Sequence, residues 1–305
     1  MLMTAPAASV LNGLFAAIPT PVRDDGRLDL STLERLVAFV IDAGAHGVCV
    51  GGATGEYPHF EIAERKAIIR HVAGLLTSDR ALLVGIGGPS LRHVVDVGQA
   101  AMEAGCRALL LPMPMFFRYE QDDLRAYCAG VSRTLAAPCL LYDLPDFTNG
   151  LSADTVVALL NGEEFIVGIK DSSGRDERLA TLVAPPRRGE WTLLVGDDRL
   201  LHRGLLAGWN GGVSGIAALC PELSLRLWCA FEQGRADESA RLQGLVDELI
   251  AHVAVFPAPW GVRIGLAARG IDTGPLPLPV APERRRQIRE FQEWLTAWLP
   301  RVMPS

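Results

Sequence analysis

Lysine is nearly absent from this chain: of 29 basic residues only Lys66 and Lys170 are lysine, and the rest are arginine. The arginines are scattered and the net charge is −6, so the basic footprint of a nucleic-acid-binding protein is missing. Long apolar runs are missing too. None approaches the roughly 20 residues needed to cross a bilayer, and no membrane partner is expected. The opening "MLMTAPAASVLNG" has no basic segment and too short an apolar one for a secretory signal. Six cysteines (Cys49, Cys106, Cys128, Cys139, Cys220, Cys229) form no CxxC pair and no zinc spacing; they read as reduced thiols of a cytoplasmic protein. The histidines form no HxH or HExxH pair, so no metal is expected.

What the chain does have is apolar material for a large core, 49% of 305 residues. It comes as short runs with amphipathic segments between them: 13–18, 46–50, 81–87, 107–112, 138–143, 165–170, 191–196 and 211–216. Runs apolar on both faces suit fully buried parallel strands. The segments between look helical. "DLSTLERLVAFVIDAG" offers Asp29 or Ser31 as a cap and Gly44 as a stop, and "SLRHVVDVGQAAMEAG" offers Ser90 and Gly105. Repeated strand–helix units predict a (β/α)8 TIM barrel. A doubly wound sheet would want a glycine-rich fingerprint after the first strand, where "PTPVRDDG" stands instead. From about Leu223 the helical spacing continues without strands. The expected organisation is a tail over 1–12, the barrel over 13–230 and a C-terminal helical extension over 231–305.

Barrel chemistry sits where strands end and βα loops begin. The sixth run, "FIVGIK", ends in Lys170. Burial there should disfavour the ammonium and lower its pKa, freeing an amine that condenses with a ketone; arginine cannot do this. The competing structural reading pairs Lys170 with Asp143 or Asp197. Tyr142 ends the fifth run and could shuttle a proton, or be a core aromatic with a satisfied hydroxyl. "GGATGE" after the second run could gather backbone N–H groups and the Thr54 hydroxyl around an anion, or be an ordinary turn.

Taken together, "GATGE", "LYDLP", "GIKDSSG" and "GGVSG" at these separations resemble the dihydrodipicolinate synthase/N-acetylneuraminate lyase family, over nearly the whole chain. The resemblance implies the same barrel and extension, a homo-oligomer of two or four subunits, and Schiff-base chemistry without metal or organic cofactor. Carried over by position, Lys170 is the imine-forming lysine and Tyr142 the catalytic tyrosine. Ala53 and Thr54 lie at the carboxylate-binding turn, and Ser214 lies beside the bound keto acid.

Three departures bear on specificity. Ala53 stands where synthases have a second hydroxyl, Met115 and Phe116 where they have a tyrosine pair, and Phe147 where an arginine binds the aldehyde's carboxylate. "LPDFTNG" is closer to the loop of 2-keto-3-deoxy sugar-acid aldolases, with Asp146, Thr148 and Asn149 available to hydroxyls and Arg118 to a carboxylate. The expected function is a class I lyase that cleaves or forms a 2-keto-3-deoxy sugar acid from pyruvate and an aldehyde, through a covalent Lys170 imine with a small 2-keto acid. A sugar-acid dehydratase or hydratase, or 4-hydroxy-tetrahydrodipicolinate synthase, could use the same lysine. The non-enzymatic alternative is a keto-acid sensor.

Overall fold

The computed structural model describes residues 10–184 and 189–303, so most of the expected N-terminal tail (residues 1–9) lies outside the described residues. The strands are β1 Gly13–Ala17, β2 Gly47–Val50, β3 Ala81–Gly85, β4 Ala108–Pro112, β5 Cys139–Asp143, β6 Ile166–Asp171, β7 Thr192–Val195 and β8 Gly211–Ser214. They pair in chain order, all parallel, and β8 closes on β1 as a barrel. Each falls on one of the apolar runs, because a strand covered on both faces must be apolar at every step.

The two-residue period of each strand divides its side chains between two cores. Phe15, Cys49, Leu83, Leu110, Leu140 and Val213 fill the barrel interior. Leu14, Val48, Val84, Leu109, Leu141 and Ile169 point outward and pack beneath the helices. Fully burying such a side chain is worth about 1.5–3 kcal/mol.

Connecting helices are α1 Leu30–Asp42, α2 Ile62–Ala73, α3 Leu91–Glu103, α4 Gln121–Leu135, α5 Ala153–Gly162, α6 Glu177–Thr181, α7 Leu201–Leu206 and the short α8 Ile216–Leu219. Asp29, not Ser31, caps α1: its carboxylate accepts from Thr32 N at 3.1 Å while the Ser31 hydroxyl donates to it. Gly44 and Gly105 follow α1 and α3 with φ of +104° and +78°, a left-handed stop that β-carbon residues avoid.

Then come α9 Pro221–Glu232, α10 Ala236–Val253, α11 Trp260–Ala268 and α12 Pro282–Trp298. α9 packs on β1 and α10 on α9, while α11 lies between α8 and α12. This path brings the α10–α11 turn over the C-terminal ends of the strands, where it forms part of the site. Among the described residues no helix is long and apolar enough to cross a membrane.

Candidate active site

The β5–β6 pairing sets Tyr142 directly beside Lys170. Both point into the barrel, two steps beyond Leu140 and Gly168. Lys170 is 3% exposed, and its Nζ lies 4.0 Å from the centroid of the Tyr142 ring. Asp143 and Asp171, the next residues along each strand, point the other way. One buried guanidinium, Arg178, bridges them at 3.1 Å and 2.7 Å and donates to Leu151 O at 2.6 Å. Burial pushes the Asp143 carboxyl up to about 6, against the pull of Arg178. Asp143 is therefore engaged behind the wall, and Asp197 faces Arg199 at 3.5 Å. These pairings leave neither carboxylate as the ion-pair partner of Lys170 that the structural reading supposed.

Burial is the largest single influence on the Lys170 amine and pushes its pKa down. Electrostatic interaction with Tyr142 and Cys49, a hydrogen bond with Tyr142, and Asp198 pull the other way and together outweigh it. The amine thus lies above an ordinary lysine, which corrects the expectation of a lowered pKa.

The turn after β2 is held tightly. Gly51 takes φ +67°, the Thr20 hydroxyl donates to Gly55 O at 2.8 Å, and Glu56 N donates to Ala53 O at 3.0 Å. Ala53 and Thr54 then line the same cavity as Lys170 and Tyr142, a space of about 280 Å³. Its loop side carries Asp146, Phe147, Ser172, Asp197, Asp198 and Arg199. Its opposite side is apolar and comes from the α10–α11 region, with Ile250, Val253, Phe256, Pro259 and Val262. Among the described residues no cluster of His, Cys, Asp or Glu could hold a metal. A buried lysine beside a tyrosine, a small-residue turn and a ligand-sized cavity can hold a 2-keto acid as an imine.

Comparison with known proteins accords with this. The dihydrodipicolinate synthetase family matches residues 10–298. The chain belongs to that family. It is 31% identical over 272 residues to an uncharacterized DapA-like lyase of Halobacterium salinarum, covering 88% of each chain. It is also 31% identical over 286 residues to the 4-hydroxy-tetrahydrodipicolinate synthase of Aromatoleum aromaticum, covering 90% of this chain and 96% of that one. Among solved structures it resembles the dihydrodipicolinate synthase of Acinetobacter baumannii complexed with pyruvate: TM-score 0.86, 26% identity, 94% of this chain and 99% of that one. This member of the dihydrodipicolinate synthetase family is a lyase of the class I aldolase type.

Within this family member, one carried-over residue and several specificity candidates fall elsewhere. Ser214 is buried behind the wall: Val213 faces inward, so Ser214 faces outward, where its hydroxyl accepts from Ala217 N at 2.7 Å and donates to Asp198. Burial, opposed by that bond, puts the Asp198 carboxyl at about 6. Asn149 is a staple between loops, donating to Pro114 O and Phe117 O at 2.7 and 2.8 Å and accepting from Tyr119 N at 3.0 Å. The Thr148 hydroxyl bonds Leu144 O and Asn149 O. Neither side chain is free for a ligand. Phe116 is 90% exposed at φ +74°, and with Arg118 it stands outside the cavity of its own chain.

Two site residues escaped the sequence reading. Ser172 lines the cavity. The two-residue period from Lys170 could have found it. Gly196, whose amide donates to Asp171 O at 2.7 Å, leaves room for Ser172 and Lys170 together. Its partners come from another strand, so no local signal marked it.

Proposed function

We propose that this chain is a Schiff-base lyase for 4-hydroxy-2-keto acids, of the 2-keto-3-deoxy sugar-acid type, giving pyruvate and an aldehyde without metal or organic cofactor. The observation that carries the reading is the convergence of Lys170, Tyr142 and the Thr54 turn on one cavity. The Lys170 amine attacks the C2 ketone, and Tyr142 donates its phenolic proton to the carbinolamine oxygen, which leaves as water so that an iminium remains. The Tyr142 oxygen takes the C4 hydroxyl proton as the C3–C4 bond breaks. The bonding pair flows into the iminium as an enamine, and the aldehyde leaves. Protonation at C3 and hydrolysis then return pyruvate and the amine. Thr54 and neighbouring backbone N–H groups receive the substrate carboxylate, and Ser172 stands two residues beyond Lys170, just past the strand end, toward the hydroxylated carbons.

The tail in this reading is uncharged. Asp146, Asp197 and Asp198 crowd the mouth, the lining cation Arg199 faces Asp197, and Phe147 occupies the anchoring position of a synthase's arginine. An acceptor with a second carboxylate meets repulsion there, whereas hydroxyls can donate to these carboxylates. The exposed Phe116 and Phe117 support a homo-oligomer in which a neighbour covers them.

Borohydride reduction with pyruvate, followed by peptide mapping, tests the chemistry: a pyruvyl adduct on Lys170 is expected, and its absence at saturating pyruvate overturns the reading. Release of pyruvate from 2-keto-3-deoxygluconate then distinguishes a lyase from a sensor that only binds.

A further inference from the structure

The turn bearing Ala53 and Thr54 ends in Glu56, a buried glutamate held in the left-handed region at φ +52°, ψ +37°. A non-glycine residue there is strained by the order of 1 kcal/mol and persists only where its surroundings hold it. What holds it comes from 207 residues away. Arg263 on α11 pairs with Glu56 Oε2 at 2.9 Å, both side chains only 4% exposed. The same guanidinium donates to Thr273 Oγ1 at 3.2 Å and to the carbonyls of Thr273, Gly274 and Pro275 at 3.1, 3.2 and 2.7 Å. Thr273 O also accepts from Val22 N at 3.1 Å, so the clamp is tied to the segment leaving β1. That segment supplies Thr20, whose hydroxyl holds Gly55 O. The residue before Arg263 on the helix, Val262, is in the cavity wall.

The turn is therefore gripped from two sides, by Thr20 and by Arg263, with Thr54 between the grip and the ligand space. We propose that Arg263 is a positioning residue for keto-acid binding: through Glu56 it sets the turn so that Thr54 and its backbone N–H groups meet the substrate carboxylate. The C-terminal extension then serves the pyruvate half of the substrate as well as walling the tail. This rests on the lyase reading above, in which that turn receives the carboxylate. A buried guanidinium with five acceptors cannot be replaced by an ammonium with three donors, although an ammonium can still pair with Glu56.

The test uses the full chain, borohydride and pyruvate, and reads the pyruvate concentration that gives half-maximal Lys170 adduct. Arg263→Gln should raise it by about tenfold or more, the loss of a charge-assisted hydrogen bond, while saturating pyruvate still labels Lys170. Arg263→Lys should fall between Gln and the native chain, and it carries the comparison if Arg263→Gln does not fold. Thr54→Ala combined with Arg263→Gln should be no worse than the weaker-binding single variant, because both act on one contact. A half-saturation unmoved in both Arg263 variants, or effects that simply multiply with Thr54→Ala, would overturn the assignment alone. No adduct in the native chain would overturn the lyase reading and this assignment with it.

Discussion

Replacing Gly196 with alanine probes the arrangement around Lys170 without touching a chemical group. A Cβ at this position collides with the Ser172 hydroxyl and stands 3.0 Å from Lys170 Cε and 3.1 Å from the Asp171 carbonyl. Carbon atoms prefer about 3.5–4.0 Å, so the lysine stem must shift by several tenths of an ångström. The carbonyl cannot yield, because it accepts the Gly196 amide at 2.7 Å. Overpacking of this kind costs about 1–3 kcal/mol, which in a domain of this size lowers Tm by several degrees. The larger effect is on reaction geometry, where a misplacement near 1 Å is worth about 10²-fold in rate. The assay is the rate of borohydride-trapped adduct at saturating pyruvate, beside a thermal melt. Adding Ser172→Ala should relieve the hydroxyl collision and recover stability but not the trapping rate, since the Lys170 contact remains. Trapping at the native rate in Gly196→Ala would refute the claim that Lys170 is held in one productive position.

Other outcomes follow from the same geometry. Lys170→Arg should keep the positive charge and abolish the adduct completely by intact mass. Because the Lys170 pKa is raised, little free amine exists at neutral pH, and the single-turnover trapping rate should climb steadily from pH 6 to pH 9; a plateau already reached at pH 7 would contradict this. Asp143, at about 6 when folded, lies above its unfolded value near 3.9, so its contribution to stability is full below about pH 4 and is lost as pH rises through 6. Relative to Asp143→Asn, the native chain should therefore gain up to about 3 kcal/mol between pH 8 and pH 4, measured by denaturant unfolding. Phe147→Arg, at a position 57% exposed, should leave stability unchanged. It should lower the half-saturating concentration of a carboxylate-bearing aldehyde by about tenfold, the worth of one charge-assisted anchor; no change would mean that this loop does not meet the acceptor.

Much of this protein is local, and the sequence by itself determined that part. A strand buried on both faces must be apolar at every step, and a helix needs its cap and its stop, so the strands fall on the apolar runs, and Asp29, Ser90, Gly44 and Gly105 stand at the helix ends. Lys170 was legible as a site residue because a lysine closes an apolar run in a chain that uses arginine almost everywhere else, and it does line the cavity. Position within a strand was harder. One residue of parity separates Val213, facing the barrel interior, from Ser214, facing away, and the path of the β5–α5 loop decides whether Asn149 meets a ligand or its neighbour's carbonyls. The tertiary structure alone decided everything that depends on charge or packing from distant segments. Cys49, Tyr142 and Asp198 converge from three strand ends to hold the Lys170 amine up against its own burial. Arg178 gathers the carboxylates behind Tyr142 and Lys170, and Arg263 reaches Glu56 across 207 residues. No periodicity records such meetings, because they arise only when the barrel has closed and the extension has folded back across its mouth.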